Sequence, residues 1–94
     1  MNEVVNVLSK DEINYKLKNG WNINWLYIQK QYIFNSFFEN IDFVNHIAKI
    51  SEKLNHHPDL DIRYKKLLIK ISTHSEGGIT QNDFDLAEKI DEIC

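Results

Sequence analysis

Pro58 is the only proline in the 94-residue chain, and it limits how far the best-patterned helix can extend. Before it, four apolar residues recur at intervals of four, three and four, which is the spacing of one helix face and predicts a helix over 41–55. A residue that precedes proline is disfavoured in the helical conformation. The helix is therefore expected to end at a corner formed by His56 and His57. The four apolar residues are Phe43, Ile47, Ile50 and Leu54.

The chain before this helix is predicted to contain one short helix and two strands. Residues 1–8 form an extended lead-in. Ser9 and Glu12 have the spacing of a capping box, which predicts a helix over 10–18 that stops at Asn19-Gly20. Apolar and polar residues then alternate over 21–25 as in a strand, and a second strand is predicted over 28–35.

Three polar residues bear on these boundaries. Lys30 interrupts the apolar side of the second strand, which indicates an edge strand or a partly solvated face. Residues 37–40 are predicted to be a crossing loop, after which Asn40 or Asp42 can cap the helix over 41–55.

Two more strands and a third helix are predicted after the proline. Residues 61–64 form the first strand, a turn follows at Lys65-Lys66, and the alternation over 67–73 forms the second, ending at His74. A capping pattern from Thr80 to Asp83 predicts a final helix over 81–93. The order α-β-β-α-β-β-α lacks a regular βαβ repeat. It predicts one α+β domain spanning 1–94, a four-stranded antiparallel sheet with three helices packed on one face.

Composition excludes several classes of protein. The net charge is −3 and the isoelectric point is near 5.7, which argues against a nucleic-acid-binding surface. No apolar run approaches the roughly 20 residues that cross a bilayer, and the N-terminus lacks a signal-peptide pattern. Cys94 is the single cysteine, so no internal disulfide can form. We expect a cytoplasmic protein with no membrane or nucleic-acid partner.

Three histidines stand at the ends of predicted elements, His56 and His57 at a helix end and His74 at a strand end. Histidine both donates and accepts protons near neutral pH. Glu52 lies four residues before His56 on the same helix face and is predicted to orient it. This set suits a reaction in which a hydroxyl leaves as water while a neighbouring proton is lost.

The histidines belong to a longer pattern of residues at fixed spacings over 32 positions, and this pattern resembles the signature of the pterin-4a-carbinolamine dehydratases. The resemblance covers about 43–93, over half of the chain. It reads Glu52-x3-His56-His57-Pro58-x5-Tyr64-x9-His74-x8-Asp83.

The resemblance implies a hydro-lyase, 4a-hydroxytetrahydrobiopterin dehydratase, which converts 4a-hydroxytetrahydropterin to quinonoid dihydropterin and water. Family members use neither a metal nor a redox cofactor. They form homodimers or homotetramers, work alongside aromatic amino acid hydroxylases in pterin recycling, and some also serve as dimerisation cofactors of a transcription factor.

The resemblance also implies roles for individual residues. His56 and His74 would protonate the leaving hydroxyl, His57 would help to take the N5 proton, and Glu52 would orient His56. Asp83 is interpreted first as a helix cap. Tyr64 and Asp83 would support the site. The pterin pocket would be lined by Asn55, His56, His57, Pro58, Ser72, Thr73, His74 and Ser75.

Two other classes of function remain open from the residues alone. Three histidines and a carboxylate could hold zinc, although neighbouring His56 and His57 lack the i, i+4 spacing of two ligands on one helix. The chain could instead be a non-catalytic homo-oligomeric interaction module. Metal content discriminates the first alternative, and turnover by histidine variants discriminates the second.

Overall fold

The computed structural model describes residues 6–93 and confirms the predicted α+β architecture. Its elements follow the order α-β-β-α-β-β-α. The predictions for residues 1–5 and for Cys94 lie outside the described residues. The elements are α1 (Lys10–Lys16), β1 (Asn22–Asn24), β2 (Tyr27–Ile33), α2 (Phe37–Leu54), β3 (Asp59–Arg63), β4 (Lys66–Ile71) and α3 (Gln81–Ile93).

The four strands form one antiparallel sheet in the order β1-β2-β4-β3. Ile28 of β2 pairs with Ile71 of β4, so these two side chains lie on the same face. Both are fully buried, as is Ile69, and they form one core with apolar residues of the three helices. The helices therefore pack against this face, and β4 carries its most deeply buried side chains.

Lys30 lies on an internal strand rather than at an edge, because β2 pairs with β1 on one side and β4 on the other. Its ammonium group is 2.7 Å from a carboxylate oxygen of Asp91 on α3. The second oxygen of Asp91 accepts a hydrogen bond from the indole of Trp21 at 2.9 Å. Of the two predicted explanations, the edge strand is therefore wrong, whereas a partly solvated face agrees with the 18% exposure of the Lys30 side chain. The lysine interrupts the apolar side because it forms an ion pair with Asp91 of α3, which packs on this face of the sheet.

Helix α2 begins earlier than predicted, at Phe37. Ser36 caps it, since its hydroxyl accepts from the backbone N–H of Glu39 at 3.1 Å. The predicted loop over 37–40 is thus the first turn of the helix, and neither Asn40 nor Asp42 is its cap. Asn40 is instead fully buried, and its Nδ2 donates to the backbone oxygens of Tyr64 at 3.0 Å and Lys66 at 2.9 Å.

The Asn40→Ala variant is expected to lose about 1–3 kcal/mol of unfolding free energy, because two backbone carbonyls of the β3–β4 turn lose their amide donor. Urea denaturation followed by circular dichroism measures the loss. Asn45→Ala is the matched control, since Asn45 is an exposed asparagine on the same helix. Equal changes in the unfolding free energy of the two variants would show that the hydrogen bonds of Asn40 add nothing to the effect of helix propensity.

The apolar stripe of α2 is only partly a core stripe. Phe43 and Ile47 are buried as predicted, whereas Leu54 at the end of the helix is 40% exposed. Ser51 is buried in its place, and its hydroxyl donates to the carbonyl of Ile47 at 2.8 Å. The last turn of α2 therefore contributes the small side chain of Ser51, and not Leu54, to the interior. Within residues 6–93, no helix combines the length and apolar character needed to cross a membrane.

The remaining boundaries shift by a few residues. The capping box of α1 is confirmed, and hydrogen bonds from Ser9 hold the pKa of Glu12 below its ordinary value. Helix α1 ends at Lys16 because Leu17 is extended, and Asn19 and Gly20 form a separate left-handed turn. The turn between β3 and β4 falls at residues 64–65, one position before the predicted turn.

Candidate active site

A cleft of about 260 Å³ lies where the end of α2 meets the end of β4. Seven of the eight residues predicted to line a pocket do line this cleft, and Pro58 is the exception. The three histidines of the sequence pattern therefore share one cavity. The lining consists of Asn55, His56, His57, Ser72, Thr73, His74 and Ser75.

The end of α2 determines where the histidine pair points. Asn55 adopts a left-handed conformation, with φ 52° and ψ 43°, which asparagine tolerates better than most residues. The backbone N–H of His56 then closes the helix by donating to the carbonyl of Ser51 at 3.0 Å. Because the chain reverses at Asn55, His56 no longer continues the helix face that carries Glu52.

His56 is held by Asp83 at the start of α3. Its Nε2 donates to Oδ1 of Asp83 across 2.5 Å, and the aspartate side chain is fully buried. The other oxygen, Oδ2, accepts from the backbone N–H of Thr80 at 2.8 Å and from the hydroxyl of Thr73 at 2.9 Å. Asp83 is therefore both the predicted helix cap and the group that orients His56. Nδ1 of His56 has no hydrogen-bond partner among residues 6–93, so this ring nitrogen is free to meet a ligand.

Glu52 does not contact His56, and that prediction is wrong. Its carboxylate instead accepts from Nε2 of His57 at 2.9 Å. This pair lies in solvent, with 78% of the Glu52 side chain and 57% of the His57 side chain exposed. The turn at Asn55 brings His57, and not His56, back over the last turn of the helix. Glu52 therefore pairs with His57.

His74 enters the cleft from the opposite side. It begins a single 3₁₀ turn, His74–Glu76, directly after the buried pair Ser72 and Thr73. Its ring packs in a T-shaped arrangement against Tyr27 of β2, with ring centroids 6.0 Å apart and an interplanar angle of 73°. Among the described residues, neither ring nitrogen of His74 has a hydrogen-bond partner, so both are available to a ligand.

The sequence profile described as pterin 4 alpha carbinolamine dehydratase matches residues 6–93, nearly the whole chain. The chain belongs to this dehydratase family. Because the profile includes both sides of the cleft, the family resemblance extends beyond the histidine signature and into the first helix and the β1–β2 hairpin.

Curated relatives cover almost the same length. A protein of Sulfolobus acidocaldarius is 40% identical over 88 residues, which are 92% of this chain and 97% of that protein. A protein of Herpetosiphon aurantiacus is 46% identical over 89 residues, 93% of each chain. Both carry the provisional name pterin-4-alpha-carbinolamine dehydratase.

A solved structure from Brucella melitensis, described as a transcriptional coactivator/pterin dehydratase, superposes with a TM-score of 0.90 at 32% identity. The match covers 94% of this chain and 98% of that one. The fold of the dehydratase family is thus present throughout the described residues.

Tyr64, which belongs to the family signature quoted above, does not line the cleft. It occupies the β3–β4 turn in a left-handed conformation, with a φ of 50°, and its ring lies under the ammonium group of Lys65. That turn is at one end of β4, whereas His74 follows the other end, about 20 Å away for six strand residues. We therefore do not place Tyr64 in the site.

The Glu52→Gln variant of this dehydratase-family protein is expected to keep kcat within about tenfold of the native value. An exposed ion pair contributes little, because water solvates both groups when the pair is broken. Steady-state turnover of a 4a-hydroxytetrahydropterin measures the effect. A hundredfold loss of kcat would show that Glu52 takes part in the reaction and does more than pair with the exposed ring of His57.

A second cavity, of about 280 Å³, lies between α1 and α3 and contains none of the histidines. Trp21 and Asp91 form part of its wall, and the carboxylate of Asp91 is already engaged by Trp21, Lys30 and Tyr32. We therefore take the histidine cleft as the candidate site. Across residues 6–93, no group of three His, Cys, Asp or Glu side chains is arranged so that it could hold a metal ion.

Proposed function

We propose that this protein is a 4a-hydroxytetrahydropterin dehydratase that releases water and quinonoid dihydropterin and so supports the recycling of tetrahydrobiopterin or a related pterin. The observation that carries the proposal is the convergence of His56, His57 and His74 on one cleft in a member of the dehydratase family. Polar side chains of Asn55 and Ser75 complete a lining suited to the hydrogen-bonding edge of a pterin.

The reaction needs one acid and one base within reach of neighbouring atoms. The bond from C4a to the hydroxyl oxygen breaks, the oxygen takes a proton, and the proton on N5 departs as the C4a–N5 double bond forms. The ring therefore undergoes no net oxidation, and the proposal requires no cofactor. Histidine can perform both proton transfers.

His56 and His74 are proposed to protonate the leaving hydroxyl. With Nε2 of His56 donating to Asp83, its Nδ1 can carry a second proton toward the cleft. The buried carboxylate then offsets the positive charge of the ring in a poorly solvated position. His74 has no competing hydrogen bond within residues 6–93, so it can donate a proton to the same hydroxyl oxygen.

His57 is proposed to take the N5 proton. It lines the same cleft, and its Nε2 donates to Glu52, which leaves Nδ1 as a proton acceptor. Because this side of the cleft is open to water, the proton can pass on to solvent. His56 is paired with a buried carboxylate and His57 with an exposed one. This difference suits His56 to protonating the hydroxyl and His57 to accepting the N5 proton.

The direct test generates 4a-hydroxytetrahydropterin in situ and follows the loss of its absorbance in metal-free buffer. We expect the purified protein to accelerate this loss equally with and without a chelator. Acceleration that chelator abolishes would support the zinc alternative. No acceleration by a folded protein would contradict the dehydratase proposal.

The second candidate is a homo-oligomeric interaction module, of homodimer or homotetramer type. Exposed apolar side chains favour it, since Phe38 at the start of α2 is 81% exposed and Ile33 at the end of β2 is 70% exposed. The Brucella structure is described as a transcriptional coactivator as well as a dehydratase. Analytical ultracentrifugation of the native chain and of Phe38→Ala tests self-association independently of turnover.

A functional link to an aromatic amino acid hydroxylase belongs to the dehydratase proposal.

A further inference from the structure

A smaller cavity of about 160 Å³ adjoins the histidine cleft on the far side of His74. Ser72 and His74 belong to the walls of both cavities. A ligand that reaches His74 from the cleft can therefore extend past this residue without leaving the protein surface. The remaining walls come from the β1–β2 hairpin and Gly77.

The two cavities differ in chemistry. Beside its histidines, the cleft presents amide and hydroxyl groups, whereas the smaller cavity presents Trp25, Leu26 and Tyr27. Tyr27 forms a T-shaped contact with His74, which places its ring next to the cleft. Aromatic side chains bind rings and alkyl groups through large contact areas at low entropic cost.

Trp25 stands at the tip of the hairpin in an unusual conformation. Its φ is 55°, a left-handed value that bulky side chains rarely adopt, and 78% of the residue is exposed. This exposed indole at the mouth of a cavity gains no stability from burial in the core. Backbone strain of this kind often occurs where a side chain meets a ligand.

We propose that Trp25 and Tyr27 bind the C6 substituent of the pterin, and that Trp25 thereby sets a preference for substituted over unsubstituted pterins. The inference rests on the proposed dehydratase function. The pyrimidine ring of a pterin is edged by amide and amine groups, which match the polar cleft. C6 is bonded to N5, one of the two reacting atoms, so a group on C6 lies next to the histidines and points toward an adjoining wall.

The test compares two substrates, the 4a-hydroxy derivatives of tetrahydrobiopterin, which carries a dihydroxypropyl group at C6, and of unsubstituted tetrahydropterin. In Trp25→Gly, we expect KM for the substituted substrate to rise about 3- to 10-fold, the effect of one lost aromatic contact, with kcat within about twofold. KM for the unsubstituted substrate should not change. Glycine accepts a φ of 55°, so the hairpin is expected to fold.

Trp25→Phe should recover most of the preference, because a ring remains at the position. Tyr15→Ala is the control for removal of an exposed aromatic residue, since Tyr15 is 91% exposed on α1 and lines neither of these two cavities. An unchanged KM ratio in Trp25→Gly, or an equal rise for both substrates, would overturn the inference while the dehydratase proposal stands. If the native protein accelerates neither substrate, the dehydratase proposal fails, and the inference fails with it.

Discussion

Replacing His56 or His74 with alanine is expected to lower kcat for 4a-hydroxytetrahydropterin dehydration by about 10²- to 10⁴-fold, the contribution of one positioned acid or base. The two rings reach the cleft from different elements, His56 after α2 and His74 after β4. If both act on the leaving hydroxyl, the double variant should be little slower than the slower single variant, because residues that act as a unit are not additive.

The His56 experiment needs a second variant, because alanine would leave the buried carboxylate of Asp83 without its donor. His56→Gln retains an N–H group that can reach Asp83 but cannot transfer a proton. It should fold and yet show the same loss of kcat. His46→Ala is the matched control, since His46 is an exposed histidine on α2 outside the cleft. Turnover that survives in both His56→Gln and His74→Ala would refute the roles assigned to these two histidines.

Asp83→Asn is expected to lower kcat by about 10- to 10²-fold, as loss of an orienting partner usually does, and to cost about 1–3 kcal/mol of unfolding free energy. The native carboxylate accepts from Thr80, Thr73 and His56 with no donor of its own. An amide must turn its NH₂ toward one of these groups. If it keeps the cap, it opposes Nε2 of His56 and forces the imidazole proton onto Nδ1.

Asp85→Asn is the control for this substitution, because Asp85 is an exposed aspartate on the same helix that accepts only from Gln81. Thermal denaturation and steady-state kinetics should separate the two effects. A variant that loses stability but keeps native kcat would show that Asp83 is a helix cap only. A fall in kcat together with a changed pH–rate profile would support the orienting role.

Local sequence patterns were sufficient to predict the helices and strands and their order along the chain. The strand alternation over 67–73 and the capping pattern before α3 both correspond to observed elements. The start of α2 was misjudged because Ser36 and Glu39 cap it, while Phe37 and Phe38 look like the end of a strand. Two exposed aromatic residues in a first helical turn carry no periodic signal that separates them from a loop.

The sequence also predicted that His56, His57 and His74 lie at the ends of elements, and the structure places all three in one cleft at the ends of α2 and β4. What sequence could not supply was the pairing of carboxylates with rings. Helical spacing assigned Glu52 to His56, but that rule holds only while the helix continues, and it ends at Leu54.

By itself, therefore, the sequence determined the element order, the family and the three histidines of the cleft, because periodicity and fixed spacing are local properties of the chain. Tertiary structure alone decided that Asp83 holds His56 from 27 positions away and that Glu52 is left to His57. It also decided that the β1–β2 hairpin brings Tyr27 against His74. These contacts depend on a left-handed turn at Asn55 and on the packing of α3 and the hairpin around the end of β4, which no spacing along the chain encodes.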